Sequence, residues 1–273
     1  MWSQLVNIRI NKNIIYLRKE VLSDYWVFEG ILFGNEYWPL KLKNDDVLLD
    51  VGANIGIFTI TLHERVNKII CIEPEAQNLE LLFTNIKANK VNNVSVIPFA
   101  VSNKKQTLLV NDTGGLAKVD ISGKPVKAMT IDDVLREYNL PLPTVVKMDI
   151  EGSEVKALSG FSNIDQVREI ILETHSPELR EEVISILMDH NFIVKDVSNP
   201  NYKRIIYSVL TNILTYFRIE RKYEYRTTKK IIKWLFKRGP APLGTATQVS
   251  GTSILYAINQ NLSSFEILNK TIA

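Results

Sequence analysis

The sequence predicts an α/β fold built on a mostly parallel sheet with helices on both faces, a Rossmann-like architecture. Three observations carry that prediction. Strand patterns and amphipathic helices alternate from Val47 to Val197, the signature of βαβ units. The first of these strands, Val47-Leu48-Leu49-Asp50-Val51, reads as buried and runs directly into a glycine turn. The composition is 45% apolar and 23% charged over 273 residues. That is ordinary for a globular chain and excludes disorder, collagen and coiled coil. The length suits one large domain or two small ones.

Residues 1–44 form a lead-in. Ile8, Ile10, Ile14 and Tyr16 alternate with polar positions and predict a hairpin. A helix follows over Ser23 to Phe33, with Ser23 as its cap and Trp26, Val27, Ile31 and Phe33 among its apolar positions. The core is expected over 45–198. After the first strand comes a helix over 57–65, a strand over 68–72 and a helix over 77–90. A third strand spans 94–99. Residues 102–128 carry the turn signals Asn111-Asp112 and Gly114-Gly115 and read as a hairpin excursion. Thr130-Ile131-Asp132-Asp133 has capping-box spacing and opens a helix through Tyr138. Strand four is expected over 144–148, a helix around 154–158, strand five over 167–172, a helix over 177–190 and strand six over 192–197. A basic insertion with a Gly/Pro/Thr stretch fills 199–252. A last strand over 253–258 and a tail complete the chain to 273.

The net charge of +3 names no partner, but it hides an asymmetry. Residues 203–238 hold eleven Lys and Arg against two Glu, a local charge of +9 that leaves −6 on the rest. Ile205, Ile206, Val209, Leu210, Ile213, Leu214 and Phe217 form a helical apolar stripe. Arg226, Lys229, Lys230, Lys233 and Lys237 then fall largely on one face of the next helical stretch. Such a block fits an anionic membrane surface, a nucleic acid or an anionic glycan. It equally fits packing on the body, or on a second copy in a homo-oligomer, with the lysines in water. Cys71 is the single cysteine and cannot form an internal disulfide, so a reducing, cytoplasmic setting is expected. Peripheral membrane association through the basic block is the variant of that expectation. The N-terminus lacks the pattern of a signal peptide. The uncharged run between Arg204 and Arg218 is 13 residues, too short to span a bilayer.

The chemistry concentrates in three places. Asp50-Val51-Gly52-Ala53-Asn54-Ile55-Gly56 follows the first strand and opens a helix. The two glycines permit a tight turn and close ligand approach. No Gly-Lys-Ser/Thr follows, which excludes a P-loop, and the spacing is not the G-x-G-x-x-G of dinucleotide folds. Glu73 ends the second strand, 23 residues after Asp50, where an acid can accept hydrogen bonds from ribose hydroxyls. A nucleoside site without a pyrophosphate cradle points to S-adenosyl-L-methionine. The third place is Lys147-Met148-Asp149-Ile150-Glu151-Gly152-Ser153-Glu154 at the carboxyl end of strand four. Clustered carboxylates there need a compensating cation, for which a sulfonium or Lys147 would serve. Glu154 also suits a helix N-terminus.

The segments Asp50 to Thr59, Glu73 to Asn78, Ala100-Val101-Ser102, Thr130 to Leu135, Lys147 to Leu158 and Glu173-Thr174-His175 occur in that order. Together they resemble the FkbM family of S-adenosylmethionine-dependent methyltransferases. The flank around Glu29 to Tyr37 is similar too, and the resemblance covers roughly residues 25–197 and the last strand. It implies a class I methyltransferase fold, a seven-stranded sheet with the last strand antiparallel. It also implies methyl transfer to a hydroxyl of a saccharide, glycolipid or other small acceptor. By this resemblance Gly52, Asn54 and Gly56 line the methionine and ribose part of the cofactor, and Glu73 holds the ribose hydroxyls. Ala100, Val101 and Ser102 lie near the adenine. Asp50, Ala53, Phe58, Thr59 and Asn78, in the same segments, go with the cofactor. Asp149 and Glu151 face the sulfonium and the acceptor. Residues 198–252 match no pattern of the family.

A hydroxyl acceptor must lose a proton, and Asp149, Glu151 and His175 are the candidate bases. The same three residue types also suit a divalent metal, although no metal is expected, and chelator-insensitive activity would follow. His63 and His190 read as structural, and Cys71 as a small buried apolar residue. Two other classes compete with O-methylation. One is an RNA methyltransferase using residues 203–238; the aromatic sheet platforms of RNA modules and an Asn-Pro-Pro-Tyr motif are both absent. The other is a non-catalytic cofactor-fold binding protein.

Overall fold

The structure is a computed structural model of the chain and describes residues 4–34, 37–111, 118–119, 123–198 and 252–262. The basic block at 203–238, the Gly/Pro/Thr stretch and most of the tail lie outside the described residues.

The lead-in begins with β1 (Leu5–Ile10) and β2 (Asn13–Arg18), paired antiparallel through a turn in which Asn11 takes a positive φ. The helix α1 (Leu22–Glu29) follows. Its start differs from the sequence expectation. Val21 is the N-cap and Ser23 lies inside the helix, buried. The start is set instead by Asp24, whose carboxylate accepts from the Arg18 backbone N–H and guanidinium at 2.5–3.2 Å. Trp26, expected on the apolar face, is 45% exposed. The α-helix also stops earlier, and Gly30–Gly34 continues as a π-helical turn.

The core opens with β3 (Val47–Val51), α2 (Ile57–Leu62), β4 (Lys68–Ile72), α3 (Ala76–Ala88) and β5 (Val94–Ile97). The third strand ends before Phe99, because Pro98 has no N–H to donate. The excursion then forms its own sheet from β6 (Ala100–Val101), β7 (Gln106–Asn111), β8 (Lys118–Val119) and β9 (Lys124–Met129), in the order β6-β9-β7-β8. The helix α4 (Ile131–Glu137) is capped as expected, with the Thr130 hydroxyl accepting from the Asp133 N–H. Then come β10 (Val145–Met148), α5 (Glu154–Ser159), β11 (Glu169–Thr174), α6 (Pro177–Asp189), β12 (Phe192–Asp196) and β13 (Ser253–Asn259). Strand five thus lies two residues later than expected. A 3₁₀ turn at Ile164–Gln166 ends on Val167 as its C-cap and delays the start of the strand, and pairing with β13 carries it through Thr174.

The main sheet has seven strands in the order β12-β13-β11-β10-β3-β4-β5, with β13 antiparallel to both neighbours and the other pairs parallel. Successive residues of β3 feed opposite faces. Leu49 and Val51 join a core with Val134 of α4, Leu158 of α5 and Val183 of α6. Leu48 joins another with Phe58 of α2 and Leu82 of α3. Helices therefore cover both faces, and β3 is buried along its whole length. Each such aliphatic side chain contributes ~1.5–3 kcal/mol by leaving water. The lead-in packs outside α2 and α3, with Ile15, Leu17 and Phe28 against Ile57, Ile60 and Leu81. The chain leaves β3 toward β4 and β5, then returns to β10 on the other side. That reversal opens a crevice at the carboxyl ends of β3 and β10, where ligands bind in open α/β sheets.

Candidate active site

The crevice is a cleft of about 880 Å³, open mouth included. Its floor is the turn after β3. Gly52 (φ +78°) and Gly56 (φ +85°) both occupy the left-handed region, where side chains are disfavoured. Space reinforces the requirement at Gly52. A Cβ there would stand 1.9 Å from the Asp149 carbonyl oxygen, so only glycine lets β3 and β10 close on each other. The turn is pinned to β4, with Gly52 N–H and Ala53 N–H both donating to the Ile72 carbonyl. Beneath it the Lys147 ammonium donates to the Gly52 carbonyl at 2.8 Å and pairs with Asp50 at 3.2 Å. Burial works against charge on Lys147, but Asp50 first and Asp149 next outweigh it and hold the ammonium above its ordinary range. The Tyr37 and Phe58 rings meet edge to face at 5.0 Å, each about 6 Å from that ammonium.

Glu73 faces the cleft from the end of β4 while 97% buried. One carboxylate oxygen accepts from the Asn54 N–H at 2.8 Å, the other from the Glu75 N–H at 2.9 Å and the Asn78 amide at 3.3 Å. Burial pushes its carboxyl up to about 7, further than these donors pull it down.

The opposite wall carries acids. Asp149 and Glu151 line the cleft, and His175 stands behind them at the end of β11. His175 Nε2 lies 3.4 Å from Glu151, 3.7 Å from Asp149 and 3.8 Å from Glu173. Its Nδ1 is 3.5 Å from the fully buried Glu154. Glu154 is held in turn by the N–H groups of Ile150 and Gly152. Burial opposes the charged imidazole, but the Glu154 oxygen and the charges of Asp149 and Glu151 prevail, and the proton affinity of His175 rises above its ordinary value. One ligand atom each from Asp149, Glu151 and His175 lies within 4.8 Å of the others. The trio could close on a divalent cation, or pass a proton from the cleft to the imidazole.

The residues singled out in the sequence divide into two groups. Gly52, Ala53, Asn54, Phe58, Glu73, Ala100, Val101, Asp149 and Glu151 line the cleft. Asp50, Gly56, Thr59, Asn78, Ser102 and His175 do not; they stand behind its walls. Thr59 donates to the buried Asp50 and touches the Cys71 sulfur. Ser102 accepts from the Gln106 amide. Gly56 caps α2 and faces Leu82. Cys71 is fully buried, and burial raises its thiol far above the reactive range. His63 and His190 bond the Ile60 carbonyl and Asp165, away from the cleft. Sequence reasoning missed Val27, Ile31, Tyr37, Phe99 and Val110 as cleft walls. Val27, Ile31 and Tyr37 come from the lead-in, Phe99 from the link between β5 and β6, and Val110 from the excursion; the resemblance around Glu29 to Tyr37 gave none of them a role.

A seven-stranded sheet in this order, with a glycine turn and a buried carboxylate beside its point of reversal, defines the Rossmann-like methyltransferase fold. The particular family follows from comparison with known proteins: the Methyltransferase FkbM domain matches residues 50–204, and the chain belongs to that family. Among similar proteins is one named hexuronic acid methyltransferase AglP from Haloferax volcanii, 27% identical over 155 residues. The match covers 55% of this chain and 64% of that protein. Another is named 31-O-demethyl-FK506 methyltransferase FkbM, from Streptomyces tacrolimicus. It is 24% identical over 202 residues, covering 59% of this chain and 78% of that protein. A crystal structure of methyltransferase FkbM from Methylobacillus flagellatus aligns with a TM-score of 0.46 and 19% identity, covering 64% of this chain and 46% of that one.

Proposed function

We propose that the protein transfers a methyl group from S-adenosyl-L-methionine to a hydroxyl of a saccharide or other small hydroxylated acceptor. The observation that carries this reading is the pairing of two walls in one cleft. The buried Glu73 carboxylate and the glycine turn suit a nucleoside. The Asp149–Glu151–His175 group on the facing wall suits an acceptor that must lose a proton. A relative named for methylation of a hexuronic acid supports a sugar as acceptor.

The residues divide the work. The turn at Gly52 to Asn54 lets the cofactor lie against backbone, and Glu73 accepts from the ribose hydroxyls. Phe58 and Tyr37 wall the methionine end, while Phe99, Ala100 and Val101 wall the adenine end. The acceptor oxygen attacks the methyl carbon in line. The C–O bond forms as the S–C bond breaks, and S-adenosylhomocysteine leaves. The hydroxyl proton passes to the Asp149–Glu151 pair, with His175 behind it as the final acceptor. Alignment of the two reactants supplies most of the acceleration.

Calorimetric titration with S-adenosylhomocysteine tests the reading. The wild-type protein is expected to bind, and Glu73→Ala to bind at least tenfold more weakly, since about 1.4 kcal/mol or more of hydrogen bonding to a charged group is lost. No binding by folded wild-type protein removes the proposal.

A further inference from the structure

Behind Glu73 runs a chain of buried polar side chains that none of the cleft's own contacts requires. Glu73 Oε1 accepts from the Asn78 amide nitrogen at 3.3 Å. The oxygen of that amide accepts from the Arg18 guanidinium at 2.9 Å. Arg18 is clasped by Asp24 through its backbone N–H and its guanidinium. Arg18, Asp24 and Asn78 are each at most 2% exposed, and none of them lines the cleft. They belong to β2, α1 and α3, so the chain joins the lead-in hairpin to the cleft across the helix between them.

An asparagine amide is two-faced, with a donor on one side and an acceptor on the other. Here a buried cation occupies the acceptor side, which leaves the donor turned toward Glu73. The reversed amide would set its NH₂ against the guanidinium and its oxygen against the carboxylate, and both contacts would be repulsive in a low-dielectric interior. Arg18 therefore fixes the sense in which Asn78 meets Glu73. A carboxylate that must accept from two ribose hydroxyls needs to be ionised and held still. Burial and the neighbouring Glu75 carboxylate both oppose ionisation, while the donors at Asn54, Glu75 and Asn78 favour it.

We propose that Arg18 and Asn78 are positioning residues for cofactor binding, the Arg18–Asn78 contact orienting the donor that holds Glu73 in its ribose-accepting form. This deepens the methyltransferase reading and rests on Glu73 being the ribose partner. It also gives the lead-in, outside the matched stretch of 50–204, a direct part in the site.

Two substitutions isolate the link. Asn78→Asp keeps an acceptor for Arg18 and removes the donor to Glu73. Arg18→Lys keeps the charge beside Asp24 but loses the fork that reaches Asp24 and Asn78 together. Both are titrated with S-adenosylhomocysteine from pH 5.5 to 8.5, beside wild type and Glu73→Gln, and each fold is checked by thermal melting. The expected result is binding about tenfold weaker in each folded variant, the equivalent of one lost hydrogen bond to a charged group. The midpoint of the pH dependence should also move upward, most in Asn78→Asp, where a second carboxylate faces Glu73. If Glu73→Gln weakens binding while Asn78→Asp and Arg18→Lys keep the wild-type affinity and midpoint, the inference is overturned and the cofactor site stands. Should affinity fall only in proportion to unfolding in both variants, the chain is structural and the inference is likewise overturned. If wild type does not bind, or Glu73→Gln binds as wild type does, the underlying cofactor reading fails first.

Discussion

At Glu73 stability and the proposed ribose contact pull in opposite directions. Its carboxyl is raised from 4.5 to about 7 by burial. The folded state therefore holds a proton between those values that the unfolded chain has released. By linkage, this residue's contribution to stability is complete below the ordinary value and is lost as pH rises through 7. Under the proposed role of Glu73 cofactor binding has the reverse sign, because ribose hydroxyls would need the ionised form. Affinity for S-adenosylhomocysteine is expected to be about tenfold lower at pH 6 than at pH 8. Isothermal titration at the two pH values reads this directly, and a flat profile would place the titration elsewhere. On the facing wall, His175 should affect turnover and leave cofactor affinity alone. We expect His175→Ala to lower the methyl-transfer rate by about 10²–10⁴ at near wild-type affinity for S-adenosylhomocysteine. An unchanged rate would take His175 out of the proton path.

Elements meet through particular pairs, and the pairing of β3 with β10 is the one the cleft depends on. Its register sets Asp50 opposite Lys147, both nearly inaccessible to solvent. Breaking a buried pair by removing one partner strands a charge and costs ~3–5 kcal/mol, whereas removing both is often close to neutral. Lys147→Met should therefore destabilise by about that amount. Adding Asp50→Asn should recover most of it, as a double-mutant cycle in urea would show. Additive effects would deny the coupling. The same pair shows what was legible at this scale. Asp50 and Lys147 both stand in recognisable motifs, and a cationic role for Lys147 could be read from the acids around it. Their register could not, because it depends on strands nearly one hundred residues apart. The sequence places the lead-in helix, but the helix starts at Leu22, ahead of the expected cap Ser23. Ser23 has the chemistry of a cap, yet the contact between Asp24 and Arg18 decided where the helix begins.

For the molecule as a whole, closure of the sheet depends on its last strand. β13 lies between β11 and β12 and hydrogen-bonds to both, and among the described residues β12 has no other partner in the sheet. Leu255, Tyr256 and Ala257 are at most 1% exposed and pack into the cores on both faces. Removing residues 253–273 should cost cooperative folding altogether. Circular dichroism would show the loss, and a truncated chain with a sharp melting transition would contradict it. Among the described residues no helix is long and apolar enough to cross a membrane. The basic block at 203–238 enters after β12, which is parallel to β11 and ends at the cleft's edge of the sheet.

The sequence by itself determined the alternation of strands and helices, the left-handed turn at Gly52 and the acid that ends β4. Each of these is written in residues adjacent along the chain. Hydrophobic periodicity, a missing Cβ and a carboxylate at a strand end all act locally. The tertiary structure alone decided which motif residues reach the cleft and which support it from behind. Thr59, Asn78 and Ser102 carry the right chemistry but point into the walls, while Tyr37 and Phe99 arrive from segments to which the sequence assigns no site residue. The cleft is made where β3 meets β10 and where the lead-in and the excursion fold over it. Those contacts follow from which apolar faces must be buried together, and that outcome belongs to the whole chain.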